Sequence, residues 1–459
     1  MSLAQRLAWL EVVSTLAILS AVMLTSVPPE GIGGMGVTTA TAAAAAQILP
    51  RFFIIMGICF VCFYFCDLYN FEDPHDFGDL FGRLCRALGW SALLLATTYV
   101  VFPTTIVRGN FVSHALMLLL VAVLLIRSVV YSMAKRAPFS ERVLIMGVGT
   151  LATVIADQIR TRPDLAVRLI GVLSDGGTAT TLSAPRLGRY DDVADVVRRH
   201  RPDRIIVAMP DRRSHLPVTQ LLACRVRGVR IEDGPQVLER FTRRLAVESL
   251  TPSALIFGDG FRVTRAQLLV KRVMSVAIAI VALVLTAPFM AVVALGITLE
   301  SRGPVFFVQE RVGLHGRLFR LVKFRTMRVL DARETDTVLR DNRSRVTRLG
   351  AVLRRYRLDE IPQFINILRG DMSLVGPRPE MAENVATFST VIPYYNLRHE
   401  VRPGLTGWAQ VRAGYSMSVE EVTRKLCYDL YYIKHMCAQF DLRILFDTVK
   451  FVLSGKRPG

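Results

Sequence analysis

VMSVAIAIVALVLTAPFMAVVALGIT, residues 273–298, is an apolar run long enough to cross a bilayer as a helix, yet its two flanks carry the same charge. Lys271 and Arg272 precede it, and Arg302, Arg311, Arg317, Arg320, Lys323 and Arg325 follow it. Positive residues favour the cytoplasmic face, so both ends ask for the same side. Pro288, near the middle, lacks the N–H that would continue the helical ladder. The run therefore predicts a re-entrant membrane helix, about residues 271–299, that dips into one leaflet, breaks at Pro288 and returns.

Upstream, four apolar stretches crowd the first third: Leu7 to Val27, Ile48 to Leu68, Leu84 to Val107 and Val112 to Met133. Each approaches the roughly 20 residues that span a bilayer, which predicts a four-helix transmembrane region over residues 1–137. Arg6, the Arg83 and Arg86 pair and the Lys135, Arg136 and Arg142 group mark one side, whereas the loop from Pro28 to Gln47 has no Lys or Arg. Both ends of that bundle are expected in the cytoplasm. With 52% hydrophobic residues and 57 Lys and Arg against 38 Asp and Glu, the chain reads as a membrane protein with soluble parts. The net charge of +19 suits an anionic leaflet or polyphosphate substrates. No nucleic-acid reader motif accompanies that charge. The seven cysteines form no disulfide framework, which points to reducing surroundings for the soluble parts.

From Glu141 the pattern turns to soluble α/β. Strands are expected at Val143 to Met146, Leu169 to Leu173 and Arg204 to Ala208, in a Rossmann-like domain over residues 138–262. The turn Gly147-Val148-Gly149-Thr150-Leu151-Ala152 lies where a dinucleotide-binding turn would, but the acid expected about 20 positions later is missing and Asp175 comes late. No Tyr-x-x-x-Lys pair accompanies it, which counts against a nucleotide-sugar dehydratase or epimerase. Whether the domain binds a nucleotide stays open.

The last third, residues 263–459, concentrates chemistry. Arg354-Arg355-Tyr356-Arg357-Leu358-Asp359-Glu360-Ile361-Pro362-Gln363 sets two adjacent carboxylates among arginines, and Gly376-Pro377-Arg378-Pro379 follows. A carboxylate beside fixed positive charge stays ionised and can attack phosphorus, while arginines hold phosphate oxygens. Phosphoryl transfer at a membrane surface is the implied chemistry. Arg355 and Arg357 are expected to face solvent or headgroups, Trp408 to be an interfacial anchor, and none of the seven scattered histidines to act in catalysis.

Further motifs stand in order: Ser301-Arg302-Gly303-Pro304, Gln309-Glu310-Arg311-Val312-Gly313, Lys323-Phe324-Arg325-Thr326-Met327, Gly370-Asp371-Met372-Ser373, Arg402-Pro403-Gly404-Leu405-Thr406-Gly407-Trp408 and Tyr428-Asp429-Leu430-Tyr431-Tyr432. From about Leu268 to the end the chain closely resembles the bacterial sugar transferase family, the monotopic polyprenyl-phosphate phosphoglycosyl transferases, and its upstream part resembles the larger, exopolysaccharide-initiating members. The resemblance implies a mostly α catalytic domain and transfer of a hexose-1-phosphate from a UDP-hexose to polyprenyl (undecaprenyl) phosphate, with release of UMP. It implies Asp359 as nucleophile and ligand of Mg2+, and Glu360 as its helper in proton transfer or charge positioning. Arg354, Arg378, Lys323, Arg325 and Asp429 fall on its substrate-binding positions. It also implies a multi-pass protein of the bacterial inner membrane with its soluble domains in the cytoplasm, in contact with anionic lipid; a homo-oligomer is left open, as is the sugar. Two positions depart from the family pattern: Ser275 replaces an Asp, which removes a salt bridge or cap there, and Ala287 replaces a polar residue able to back-bond near the break. A non-catalytic scaffold would have no use for the dyad.

Overall fold

The computed structural model describes residues 53–66, 77–101, 140–162, 167–176, 184–209, 216–247, 260–329, 345–413 and 418–454, with a few isolated positions between them. The chain divides into two compact units, Met1–Val237 and Leu238–Gly459. It is mixed α/β, with a five-stranded parallel sheet, a two-stranded parallel pair and an antiparallel hairpin among the described residues.

The first unit opens with helices α1 (Phe53–Phe65) and α2 (Phe77–Val101). Phe63 and Leu68 pack against Leu84 and Ala87 between them. These are the second and third of the four expected spans; the first and fourth lie outside the described residues. Among the described residues, α2 and one helix of the second unit are long and apolar enough to cross a membrane, while α1 is shorter.

A Rossmann-like sheet follows, built from β1 (Glu141–Met146), α3 (Thr150–Thr161), β2 (Val167–Leu173), β3 (Arg186–Gly188), α4 (Val193–His200), β4 (Arg204–Val207), α5 (Val218–Val226) and β5 (Arg230–Asp233). The order is β3-β2-β1-β4-β5 and every pairing is parallel. The apolar runs of β1 and β4 are buried throughout, as strands covered by helices on both faces must be. Gly147 has a packing reason for its identity: its φ is 126°, and a Cβ would lie 2.5 Å from the Ala208 carbonyl oxygen at the end of β4. Asp175 is engaged within the fold, where its Oδ1 accepts from the Tyr190 N–H at 2.9 Å.

The sheet is followed by α6 (Gly234–Thr242), after which α7 (Arg265–Glu300) begins. Thr264 caps α7 reciprocally with Gln267. The helix runs through Pro288 without interruption, so the expected helix–break–helix is one continuous element of 36 residues. A proline removes one ladder bond and bends a helix without ending it when flanking turns hold, and here Thr286 Oγ1 donates to the Ala282 carbonyl at 2.6 Å.

Around α7 stand the hairpin β6 (Phe306–Val312) and β7 (Leu318–Phe324), then α8 (Arg348–Arg355), α9 (Gln363–Arg369), β8 (Ser373–Val375), α10 (Ala382–Val391), β9 (Gly404–Thr406), α11 (Trp408–Arg412), α12 (Val419–Lys434) and α13 (Ala438–Ser454). Lys271 enters the protein rather than the bilayer: Nζ lies 2.8 Å from Asp441 Oδ2 and also meets the Tyr432 hydroxyl, which donates to Asp441 Oδ1 at 2.6 Å. Ser275 shares a 3.1 Å hydrogen bond with Ser373, so a serine there docks α7 against β8 while the ion pair is made one turn earlier. At the other end the Glu300 carboxylate accepts from the Arg348 N–H at 2.7 Å, capping α8. Trp408 is buried, donates from Nε1 to the Arg243 carbonyl at 3.0 Å and meets Phe440 edge-on. It is therefore a core residue, not an interfacial anchor.

The stretch from Glu239 to Val247 belongs to this second unit. Glu239 binds Lys434 at 2.8 Å and His435 at 2.7 Å, the Leu245 N–H donates to the Cys427 carbonyl at 2.9 Å, and Leu245 and Val247 are buried in its core. A fragment beginning at Leu238 should consequently be more stable than one beginning at Val263 by about 3 kcal/mol, the order expected for re-burying two aliphatic side chains. Denaturant unfolding of both fragments in the same detergent measures this, and equal midpoints would show that the stretch contributes nothing.

Candidate active site

The dyad sits on a turn that few sequences could hold. Helix α8 ends at Arg355, Arg357 adopts a left-handed conformation with φ 55°, and Leu358–Glu360 closes as a single 3-10 turn before Pro362 starts α9. Leu358 and Ile361 anchor this turn against Phe324, Leu353, Val293 and Ile297. Asp359 and Glu360 are thus held between two short helices, with their surroundings set by burial.

Those surroundings differ. Glu360 is 8% exposed, and its Oε1 receives Arg378 Nη2 at 2.9 Å, Lys323 Nζ at 3.5 Å and Arg357 Nη1 at 4.0 Å. Burial pushes its carboxyl up, but Arg378, Lys323 and Arg357 together overcome that and bring its pKa down to about 2. Asp359 makes no ion pair within 4 Å among the described residues; burial and then the neighbouring Glu360 charge raise its pKa, against the pull of Lys323 and Arg354. The cations converge on Glu360, and Asp359 is left to the pull of the more distant Lys323 and Arg354 against burial and the Glu360 charge. Burial lowers the pKa of Lys323.

Beside the dyad lies a cavity lined by Arg311, Leu321, Lys323, Gln363, Arg378, Pro379 and Gly404. In the antiparallel register Gln309 faces Leu321 and Phe307 faces Lys323, so Arg311, Leu321 and Lys323 share one face of the hairpin. Three cations line this one cavity, Lys323 and Arg378 facing Glu360 and Arg311 facing Glu380. Arg354 stands close by, its Nε donating to Thr326 Oγ1 at 2.8 Å.

The structure therefore brings together Asp359, Glu360, Lys323, Arg378 and Arg354. Arg325 is elsewhere: it is buried, and its guanidinium donates to the Arg302 carbonyl at 2.9 Å and the Ser301 carbonyl at 2.6 Å, at the C-terminal end of α7. Asp429 is buried against Arg398 at 2.8 Å, with its pKa raised to about 6 by burial and by Glu380, against Arg398 and Lys425. Pro288 lies within α7. Arg357, expected in solvent, is turned to Glu360 by its left-handed backbone. The sequence reading passed over Arg311, Gln363 and Arg398 as site residues; the strand alternation shared by Arg311 and Lys323 was the available signal for the first.

Two family profiles match the chain: bacterial sugar transferase over residues 266–455, and CoA-binding domain over residues 65–232. The UDP-N-acetylgalactosamine-undecaprenyl-phosphate N-acetylgalactosaminephosphotransferase of Aeromonas hydrophila is 39% identical over 51% of this chain and 55% of its own length. The undecaprenyl-phosphate glucose phosphotransferase of Komagataeibacter xylinus is 33% identical over 68% and 59%. An exopolysaccharide production protein of Rhizobium leguminosarum bv. phaseoli is 39% identical over 40% of this chain and 94% of its own. The chain belongs to the bacterial sugar transferase family. Its match spans little more than half the length of the first two of these relatives.

Because the folded-state pKa of Glu360 is depressed, its stabilising charge is fully present above the unfolded carboxyl's value of 4.5 and is lost as the pH falls toward about 2. Arg378→Met removes the nearest cation and should move that loss to higher pH. Melting temperature followed from pH 7 to 2 reads the difference, and superimposable profiles would mean that Arg378 does not hold Glu360 ionised.

Proposed function

We propose that this protein transfers a hexose-1-phosphate from a UDP-hexose to polyprenyl phosphate, as the first membrane step in assembling an exopolysaccharide. The observation that carries this reading is the split within the dyad: Glu360 is matched with three cations, while Asp359, half-buried next to it, has no ion pair within 4 Å among the described residues. Names of relatives that act with undecaprenyl phosphate support the same class of reaction.

In the first step a carboxylate oxygen of Asp359 attacks the sugar-linked phosphorus. The P–O bond to the second phosphate breaks, UMP leaves with that electron pair, and a phosphosugar is left on Asp359 as an acyl phosphate. Lys323 and Arg378 neutralise the phosphate oxygens in flight, with Arg354 adjoining. Glu360, held near a pKa of about 2, has no proton to give at neutrality and acts by positioning those cations. In the second step an oxygen of polyprenyl phosphate attacks the same phosphorus and Asp359 leaves as carboxylate. Asp359, a hard oxygen donor with no ion pair within 4 Å among the described residues, is the residue that would hold Mg2+ together with the diphosphate, and the ion would supply charge neutralisation there.

The membrane placement follows from α7. Its two ends pack on the same unit, through Lys271, Ser275 and Ala279 at one end and Val293 and Ile297 at the other, while Val281, Val284, Leu285 and Val292 between them are exposed. An exposed apolar middle on a helix whose two ends both pack on one unit supports entry into one leaflet and return, with the catalytic unit on the cytoplasmic face of the inner membrane. Leu269→Cys and Arg302→Cys should both be labelled only from the cytoplasmic side, whereas labelling of one from each side would refute re-entry. Arg302 is chosen because a Cβ at neighbouring Gly303 would meet the Arg325 guanidinium at 2.1 Å.

With donor labelled in the sugar-linked phosphate and no lipid acceptor, the wild-type protein should acquire label and release UMP, and polyprenyl phosphate should discharge it. Asp359→Asn should take up no label, and Glu360→Gln should lose about 100-fold or more in turnover. Turnover by Asp359→Asn near the wild-type rate, or label on another residue, would show the nucleophile to be misassigned.

A further inference from the structure

Arg398 lies in the short 3-10 stretch Tyr395–His399 with its side chain closed off from water. A buried guanidinium needs compensation, and here both terminal nitrogens find it while Nε has no partner among the described residues. Its Nη1 donates to the Tyr395 hydroxyl at 2.8 Å, and its Nη2 donates both to Asp429 Oδ2 at 2.8 Å and to the main-chain carbonyl of Arg378 at 3.1 Å. That carbonyl belongs to the residue whose own guanidinium reaches Glu360 at 2.9 Å.

The Pro377-Arg378-Pro379 segment cannot be held through an N–H at either proline, so its carbonyls do the holding. Pro377 accepts from the Gly404 N–H at 2.9 Å, Arg378 from Arg398, and Pro379 from Arg311 Nη1 at 3.4 Å. A buried ion pair that served only the core could be exchanged for two apolar side chains. The bond from Arg398 to the Arg378 carbonyl could not.

We infer that Arg398, anchored by Asp429, is a positioning residue: it fixes the main chain at Arg378 and so keeps that guanidinium aimed at Glu360 and at the diphosphate of the sugar nucleotide. What Arg378 contacts is taken from the proposed reaction; the positioning itself is a property of the chain. Asp429 thereby acts on the donor from behind Arg378, without touching it.

The test is a double-mutant cycle on the full-length protein in lipid. Arg398→Lys keeps the charge but cannot bridge three acceptors, and Asp429→Asn keeps the shape but removes the anchoring charge. Each should raise KM for the UDP-hexose roughly tenfold or more while KM for polyprenyl phosphate stays unchanged. In an Arg378→Ala background neither change should raise it further, because the residue through which they act is gone. Effects that add across the two backgrounds, or an unchanged donor KM in folded Arg398→Lys, would overturn the inference. If Arg398→Lys does not fold, Asp429→Asn and Tyr395→Phe carry the cycle. Calorimetric binding of UDP repeats it without turnover. Coupled binding in a wild-type protein that never releases UMP would sink the proposed reaction and leave this inference standing, and additive binding would sink the inference.

Discussion

Glu360 is a carboxylate taken out of water, and such a charge persists only where fixed positive charge surrounds it. The three cations that do so come from three separate pieces of chain: Lys323 from β7, Arg357 from the turn itself, and Arg378 from the loop after β8. Removing the carboxylate would leave those cations crowding one another, and removing a cation would leave the carboxylate unmatched. The pieces are therefore held in mutual register by charge as much as by apolar packing, and the cavity they enclose inherits a positive excess once Arg311 is counted.

The same geometry explains how two adjacent acids come to differ. Consecutive residues in a 3-10 turn point about a third of a turn apart, so one carboxylate meets the converging cations and the other does not. Asp359 is half-buried all the same, and desolvation together with its neighbour's negative charge raises its pKa. A carboxylate without a close cation gains more from an arriving positive partner than one already paired, and the nucleophilic role proposed for Asp359 rests on that difference.

Much of this was legible in the sequence, and the exceptions have physical causes. β1, β2 and β4 appear where continuous apolar runs predicted them, because strands covered on both faces need such runs. β3 and β5 escaped, since three or four residues carry no periodicity. The dyad, Lys323 and Arg378 could be named because chemistry concentrates them in short motifs. Arg325 misled for a definite reason: it lies two residues beyond Lys323, but β7 ends at Phe324 and the chain turns Arg325 back to the end of α7. Asp429 misled because a single residue gives no sign of a partner 31 positions away, Arg398. Trp408 could not be told from an interfacial residue without knowing that Phe440 and the Arg243 carbonyl meet it.

The bonds at the two ends of α7 join the membrane segment to the two halves of the site. At its N-terminal end Ser275 accepts from the Leu374 N–H at 3.4 Å and bonds Ser373, while the Tyr432 hydroxyl, whose proton goes to Asp441, lies 3.3 Å from the Val375 carbonyl oxygen; Ser373, Leu374 and Val375 all lie in β8, which leads directly into Gly376 and Arg378. At its C-terminal end Glu300 caps α8, which leads through Arg354 to Asp359 and Glu360. The Arg378 cation and the Glu360 carboxylate that meet at 2.9 Å are thus carried by opposite ends of one apolar helix. Any change in how that helix bends at Pro288 would alter the spacing of its ends, and the distance between Arg378 and Glu360 is where the change would be felt. A carboxylate between two anchored arms is sensitive to displacements well below an ångström, because charge-assisted hydrogen bonds are short and directional. The segment that opened the sequence as a membrane anchor is, by these contacts, also the frame on which the dyad and its cations are set.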